Sequence, residues 1–157
     1  MGNRAVITTK ENFDNDGVGV YLHWNGGRDS VEAFLTFCKA RGYRAPSEDN
    51  YGWAYLVTTI GNFFQDGLSL GVDRVSNLDC DNYDNGVYII DGWEIVDRKY
   101  APSVEQDSHE IRDMLEGINK RQPKEMRLSD EQIDIEVKRA ETPRDELDNY
   151  LGSIPVT

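Results

Sequence analysis

The sequence predicts an α+β fold: an antiparallel sheet of about five strands with helices packed on one face, plus a partly disordered C-terminal extension. Three observations predict it. Short runs rich in Val, Ile, Tyr and Thr, bounded by turn residues, stand at both ends of the first hundred residues. Two apolar stripes of helical period lie between them. Past residue 121 apolar residues thin out while charges and prolines accumulate. The division that follows is one α+β domain over residues 1–121 and a charged extension over residues 122–157.

Arg4 to Thr9 and Val18 to Trp24 read as strands, and the stretch Asn12-Phe13-Asp14-Asn15-Asp16-Gly17 between them is rich in residues that tolerate positive φ, which predicts a β-hairpin. Asn25-Gly26-Gly27 is a tight corner. It leads into Asp29-Ser30-Val31-Glu32, whose first and fourth residues suit a helix cap and its reciprocal partner. Val31, Phe34, Leu35 and Cys38 follow at i, i+3, i+4 and i+7, and Gly42 stands where a left-handed C-terminal cap belongs. Tyr51 to Phe64, with Trp53, Leu56, Val57, Ile60, Phe63 and Phe64, leaves little polar face and reads as the core helix, ended by Gly67. Leu68 to Val75 reads as a strand and Asn77 to Asn85 as a polar loop; Gly86 to Ile90 and Trp93 to Arg98 read as a hairpin about Asp91-Gly92. Ser103-Val104-Glu105-Gln106 is a capping-box pattern, and Val104, Ile111, Met114, Leu115 and Ile118 carry a stripe through Asn119, a helix docked on the sheet. In the extension a helix over Ser129 to Ala140 competes with the strand alternation of Ile133, Ile135 and Val137.

A chain of 157 residues at 38% hydrophobic and 10% aromatic content can bury a core without disulfide or metal staples. Cys38 and Cys80 show no CxxC spacing and read as free thiols of a reducing compartment. His23 and His109 lie far apart without zinc-ligand spacing, so neither a metal nor a cofactor is expected. No apolar run reaches the roughly 20 residues that span a bilayer and no signal-peptide core follows the N-terminus, so the expected location is the cytoplasm.

The formal net charge of -12 excludes nucleic-acid binding by phosphate neutralisation, which needs surplus Lys and Arg, and points to a basic partner. The charge is unevenly placed. Residues 73–97 hold seven acids, Asp73, Asp79, Asp81, Asp84, Asp91, Glu94 and Asp97, against Arg74 alone, whereas the rest of the first hundred residues balances eight acids with eight bases. Asp79 to Gly86 looks superficially like a calcium loop but places Asp84 where an EF-hand needs glycine and Ile90 where it needs glutamate.

The segment from Val20 to Asp29 delivers His23 and Asn25 to a glycine corner, Gly26-Gly27, beside a helix N-terminus, where free backbone N–H groups and Arg28 would favour an anion such as a nucleotide phosphate. Read as catalysis, His23 would be a general base oriented by Asp29, with Ser30 or Cys38 as nucleophile. Cys38 falls on the apolar stripe, however, and no nucleophile elbow is present.

Asn3-Arg4-Ala5-Val6-Ile7, Val20-Tyr21-Leu22-His23-Trp24-Asn25-Gly26-Gly27, Tyr51-Gly52-Trp53, Ile60-Gly61-Asn62-Phe63-Phe64 and Asp84-Asn85-Gly86-Val87-Tyr88-Ile89-Ile90 together resemble a group of small acidic proteins encoded by phages and integrated elements of bacteria. The resemblance covers residues 1–100 and carries no catalytic residues. It implies a setting, the cytoplasm of a bacterial host cell, in which small acidic viral proteins inhibit host defence as anti-CRISPR or anti-restriction proteins do. On that resemblance the seven acids become a candidate interface. The expected function is then a non-enzymatic inhibitor that acts as a nucleic-acid mimic on the basic surface of a nucleic-acid-handling defence protein, without touching nucleic acid or membrane itself. Two other readings stay open: a nucleotide-binding or sequestering protein at the Asn25 to Ser30 corner, and a small hydrolase using His23.

Overall fold

In strand β1 (Ala5–Thr9), Ala5 and Ile7 point to one face of the sheet and Val6 and Thr8 to the other, and all four are fully shielded from solvent. A strand buried on both sides needs cover on both sides, and this sets the layers. The computed structural model describes residues 2–65 and 69–142; Gly67, Leu68 and everything after Thr142 fall outside them. With β2 (Val18–Leu22), β3 (Leu70–Arg74), β4 (Val87–Asp91) and β5 (Glu94–Lys99), β1 forms one sheet in the order β3-β2-β1-β4-β5. The front face is covered by α2 (Arg28–Ala40), α3 (Asn50–Phe64) and α4 (Ile111–Lys120), with α5 (Asp130–Glu141) packed on α2 and α4. The back face is covered by the short α1 (Lys10–Asp14) and by residues 75–86.

The sheet is mixed rather than purely antiparallel, because β1 and β4 pair in parallel from Val6↔Val87 to Thr9↔Ile90. The reason lies in strand direction. β3 runs antiparallel to β2, and β2 antiparallel to β1, so β3 and β4 point the same way and need a crossover between them. Residues 75–86 are that crossover. They traverse the back of the sheet, laying Leu78 and Cys80 against Val6, Val87 and Ile89.

The front core follows from the stripes. Val31, Phe34, Leu35, Phe37 and Cys38 of α2 meet Leu56 and Ile60 of α3 and Met114, Leu115 and Ile118 of α4, over Ile7, Val20, Leu22, Tyr88 and Ile90 of the sheet. Burying each Leu, Ile or Phe of this set is worth roughly 1.5–3 kcal/mol. Gly42 takes the expected left-handed conformation, φ 74°.

Elsewhere tertiary contacts outweigh local signals. Lys10 to Asp14 wind into α1 instead of a bare turn; Thr9 Oγ1 caps it by accepting from Asn12 N–H at 3.2 Å, and Phe13 drops onto the back of the sheet. Helix α2 is capped by Gly27 rather than by an Asp29–Glu32 box, and Glu32 pairs with Arg28. Helix α3 closes at Gln65, which is itself left-handed at φ 67°. The β4–β5 connection is Gly92-Trp93, not Asp91-Gly92: Asp91 pairs with Glu94, and Trp93 turns inward to donate its indole N–H to the Tyr43 carbonyl at 2.8 Å. The helix expected from Ser103 begins only at Ile111, because residues 105–109 are tied down elsewhere.

The chain past residue 121 joins the same core as far as it is described. Gln122, only 1% exposed, donates to the Thr59 carbonyl at 2.9 Å and accepts from Asn62 at 2.8 Å. Leu128 is clamped by the Asn119 amide, and Ser129 with Gln132 forms a capping box at the start of α5. Ile133 and Val137 are buried while Ile135 stays 41% exposed, so the helical period wins over strand alternation. A domain edge after residue 121 therefore cuts through packed structure, since Leu128, Ile133 and Val137 belong to the front core.

Candidate functional site

The glycine corner is closed from within. A side chain on Gly26 would meet the Asn3 carbonyl at 2.5 Å, and one on Gly27 the Gln106 carbonyl at 2.8 Å. Both glycines are needed for close approach, but what approaches is the chain's own backbone. Two of the N–H groups that open α2 are occupied too: Asp29 N–H donates to the Asp107 carboxylate at 2.9 Å and Ser30 N–H to Asp29 Oδ1 at 2.7 Å. Asp29 Oδ2 in turn accepts from the backbone of Ser108 at 2.7 Å and His109 at 2.6 Å, pinning residues 105–109 across the helix end. Carboxylates of the protein sit where an external anion was expected. Tyr88 locks the corner from below by donating to the Gly26 carbonyl at 2.6 Å, with burial pushing its phenol pKa up.

The other members of the expected ligand site separate. His23 shares a hydrogen bond of 2.9 Å with Tyr21 through Nδ1 and meets Trp24 edge to face, 5.2 Å between centroids. Asn25, left-handed at φ 56°, reaches Ser30 Oγ at 3.4 Å. Arg28 pairs with Glu32 and lines a groove between α2, α5 and β5. The hydrolase arrangement does not assemble about His23 either. Asp29 lies beside His109, and Ser30 Oγ is 3.3 Å from His109 Nδ1, the same ring nitrogen that faces Ser108 Oγ and Asp29. A relay needs nucleophile and orienting carboxylate on opposite nitrogens, and Ser30 is fully buried. Cys38 is fully buried as well, donates to Thr59 Oγ1 at 3.5 Å, and has its thiol pushed up to about 12 by burial.

Asp73 and Asp97 stand in one row on the opposite edge strands of the sheet, and the other five acids divide between its two ends. Asp73 lies opposite Gly19 on the back face and accepts from the Asn77 amide at 3.2 Å; Asp97, opposite Ile89, shares that face and pairs with Lys99. Asp79, Asp81 and Asp84 lie on the crossover. Burial alone would raise the Asp84 carboxyl, but the Arg4 side chain at 2.7 Å and its backbone N–H at 3.0 Å hold it below the usual carboxylate range. Arg4 also touches Asp79 at 3.4 Å. Asp91 and Glu94 stand at the far end of β4, about 17 Å away by strand length, and Glu94 pairs with Lys39. Among the described residues no three His, Cys, Asp or Glu side chains come together as metal ligands.

What organises the crossover is Asn82, fully buried. Its Oδ1 accepts from the N–H groups of Asp84, Asn85 and Gly86 at 3.0–3.1 Å, and its Nδ2 donates to the carbonyls of Asp79 and Gly86 at 3.0 and 3.2 Å. The neighbouring Tyr83 is thereby held left-handed, φ 62°, with its side chain 89% exposed. Gly86, φ 68°, admits no side chain, because one would meet the Lys99 carbonyl at 2.1 Å.

Among the described residues, two larger concavities flank the sheet. One, of about 540 Å³, opens at the carboxyl ends of β1 and β4 against Trp53, Ile90, Lys10 and Asp91. The other, of about 610 Å³, lies on the back face between α1 and the crossover, lined by Phe13, Asp14, Asp16, Leu78, Cys80 and Tyr100. Burial and the adjacent Asp79 raise the Cys80 thiol pKa. Sequence reasoning passed over Asn82, Tyr83, Phe13, Leu78 and Tyr100. A signal was present in β1 and β4, where both alternating sets of residues are apolar and so demand a second covering layer. Among the described residues no helix is long and apolar enough to cross a membrane. No protein-family model matches the chain, and neither a curated protein nor a solved structure does.

Proposed function

We propose that the protein is a non-enzymatic binding protein that docks on a basic surface of another protein through its crossover and the acidic border of its back face. The observation that supports this reading is Tyr83. An exposed aromatic held in left-handed backbone by a buried asparagine costs free energy in the isolated protein, and such strain clusters at functional sites. An exposed aromatic on a fixed backbone among the carboxylates of its own loop is also the composition of an interface anchor, since the loop need not be ordered on binding and the charges steer a basic partner. The working surface comprises Tyr83, Asp73, Asp79, Asp81 and Asp97, with Asp84 holding the loop to Arg4; Asp91 and Glu94 stand apart from it. In its most specific form the partner is a nucleic-acid-handling defence protein in a bacterial cytoplasm and the carboxylates stand in for phosphates, a form suggested by the resemblance of residues 1–100 to phage-encoded proteins.

The test is capture from a bacterial lysate on the immobilised chain at low and high salt, with wild type beside Asp79→Lys/Asp81→Lys and Tyr83→Ser. The expected result is a basic, nucleic-acid-handling protein that salt releases and that both variants fail to retain. The same protein held equally by folded variants overturns the reading.

A further inference from the structure

We infer that the back-face groove receives an apolar side chain carried on a Lys- or Arg-rich segment of the partner. This rests on the reading above and extends it from a charged surface to a shaped one. The groove is walled by Phe13, Leu78, Cys80 and Tyr100; the first three are half-buried and Tyr100 is 56% exposed, so they leave apolar surface facing solvent. At about 610 Å³ it has room for a Phe or Leu side chain and the backbone beside it. Its polar lining is Asp14, Asn15, Asp16 and Ser76, with no Lys or Arg. Asp16 accepts from the Ser76 N–H at 2.7 Å and hydroxyl at 2.8 Å, which hold its carboxyl below the usual range.

Of the nearby cations, Arg74 acts on Asp16 from beside Val75 and also lowers its carboxyl, whereas Lys10 and Lys99 lie beyond Phe13. Lys10 pairs with Asp14 and lines, with Lys99, a second groove on the other side of the Phe13 ring, whose centroid is 5.8 Å from Lys99 Nζ. An apolar floor under a negative rim selects a hydrophobic residue flanked by positive charge. It disfavours anions, acidic peptides and a second copy of a chain whose net charge is -12. The groove and the proposed anchor share the crossover, which supplies Leu78 and Cys80 to one and Tyr83 to the other. Gly86 ends the Tyr83 loop with its Cα packed under the Lys99 and Tyr100 carbonyls, and Tyr100 is itself left-handed at φ 53°.

The experiment titrates the full chain with two fluorescein-labelled peptides, Lys-Lys-Gly-Phe-Gly-Lys-Lys and the same peptide with Ser for Phe, followed by anisotropy at low salt. The Phe peptide should bind about tenfold tighter, as expected for one buried aromatic. Leu78→Ser and Tyr100→Ser, each checked for an unchanged circular dichroism spectrum, should remove most of that preference. As a readout needing no variant, the Phe peptide should slow alkylation of Cys80 by iodoacetamide in the wild-type chain, and the Ser peptide should not.

Equal affinity for the two peptides, no binding of the Phe peptide, or a preference that survives both substitutions overturns the groove. If the peptides bind equally and Asp79→Lys/Asp81→Lys weakens both, the groove fails while the acidic surface stands. If the Phe preference is intact and neither the double reversal nor Tyr83→Ser alters it, the groove stands and the Tyr83 surface fails.

Discussion

The corner before α2 and the crossover before β4 are both polar turns rich in Asn, Asp and Gly, and both hold non-glycine residues in left-handed backbone, Asn25 in one and Tyr83 in the other. In the corner the completing groups come from far along the chain: Asp107, Ser108 and His109 satisfy α2 and its Asp29 from about eighty residues away. In the crossover most come from inside the turn, where Asn82 alone binds five backbone groups within four residues of itself, while Asn3 and Arg4 fasten only Asp84 and Asn85 from about eighty residues away. A turn closed by a distant strap has its outward face covered. One closed by its own buried amide leaves that face open, and the proposed docking at the crossover rests on this contrast.

The largest effect that separates the two should come from Asn82→Ala. Three N–H groups and two carbonyls lose a buried partner at once, and although water can reach some of them, a loss of about 3 kcal/mol in urea-induced unfolding is expected. Amide exchange should accelerate at residues 84–86 and leave Ser108 and His109 unchanged. Exchange that rises equally at both places would mean that the turns are one cooperative unit.

Asp29→Ala is the complementary experiment and should cost less, about 1–2 kcal/mol, because its partners lie on an exposed segment that water can reach. Exchange at Ser108 and His109 should rise while that of residues 84–86 holds. Should sulfate or a nucleotide then restore stability to Asp29→Ala, the corner is a latent anion site, and the nucleotide reading regains ground.

The contrast also explains what could be read from the sequence. The stripes of α2 and α3, the β4–β5 hairpin and the class of fold were legible, because each rests on local periodicity or turn chemistry. The glycine corner was legible as a place where something comes close, but the sequence does not say whether that is a ligand or Gln106. The parallel β1–β4 pair was hidden, since Asn77 to Asn85 has the composition of a solvated loop and only the apolar back-face residues Val6, Val87 and Ile89 betray what it covers. The acidic run was legible as charge and misleading as geometry: seven residues close in sequence scatter over both ends and both edges of the sheet, and Arg4, Lys39 and Lys99 attenuate four of them.

Tyr83 offers a finer test of whether the crossover imposes its backbone. At an ordinary exposed position Ala is as good as Gly or better, but in left-handed backbone a Cβ costs about 1 kcal/mol or more. Tyr83→Gly should therefore be more stable than Tyr83→Ala by about 1 kcal/mol, and both should fail to capture the partner. Equal stability of the two would show that Tyr83 relaxes to a right-handed conformation in solution, and the argument from strain would be lost.

The smallest effect is electrostatic and concerns the Arg4–Asp84 pair that fastens the crossover to β1. Because Arg4 holds the folded Asp84 carboxyl below its ordinary range, the unfolded chain binds a proton more readily than the folded one. The stabilisation is therefore complete above the ordinary carboxylate pKa, near 3.9, and is lost as pH falls through the lower folded value. Thermal unfolding of wild type and Asp84→Asn at pH 3 to 7 should show a gap that narrows on acidification. Since Arg4 is partly exposed the gap should be small and shrink in salt. A gap that narrowed on acidification but ignored salt would mean that Asp84 holds the loop mainly through its charge-assisted hydrogen bond to the Arg4 backbone, as Asp29 holds the strap, and the two turns would then differ in who supplies the acceptor but not in how it acts.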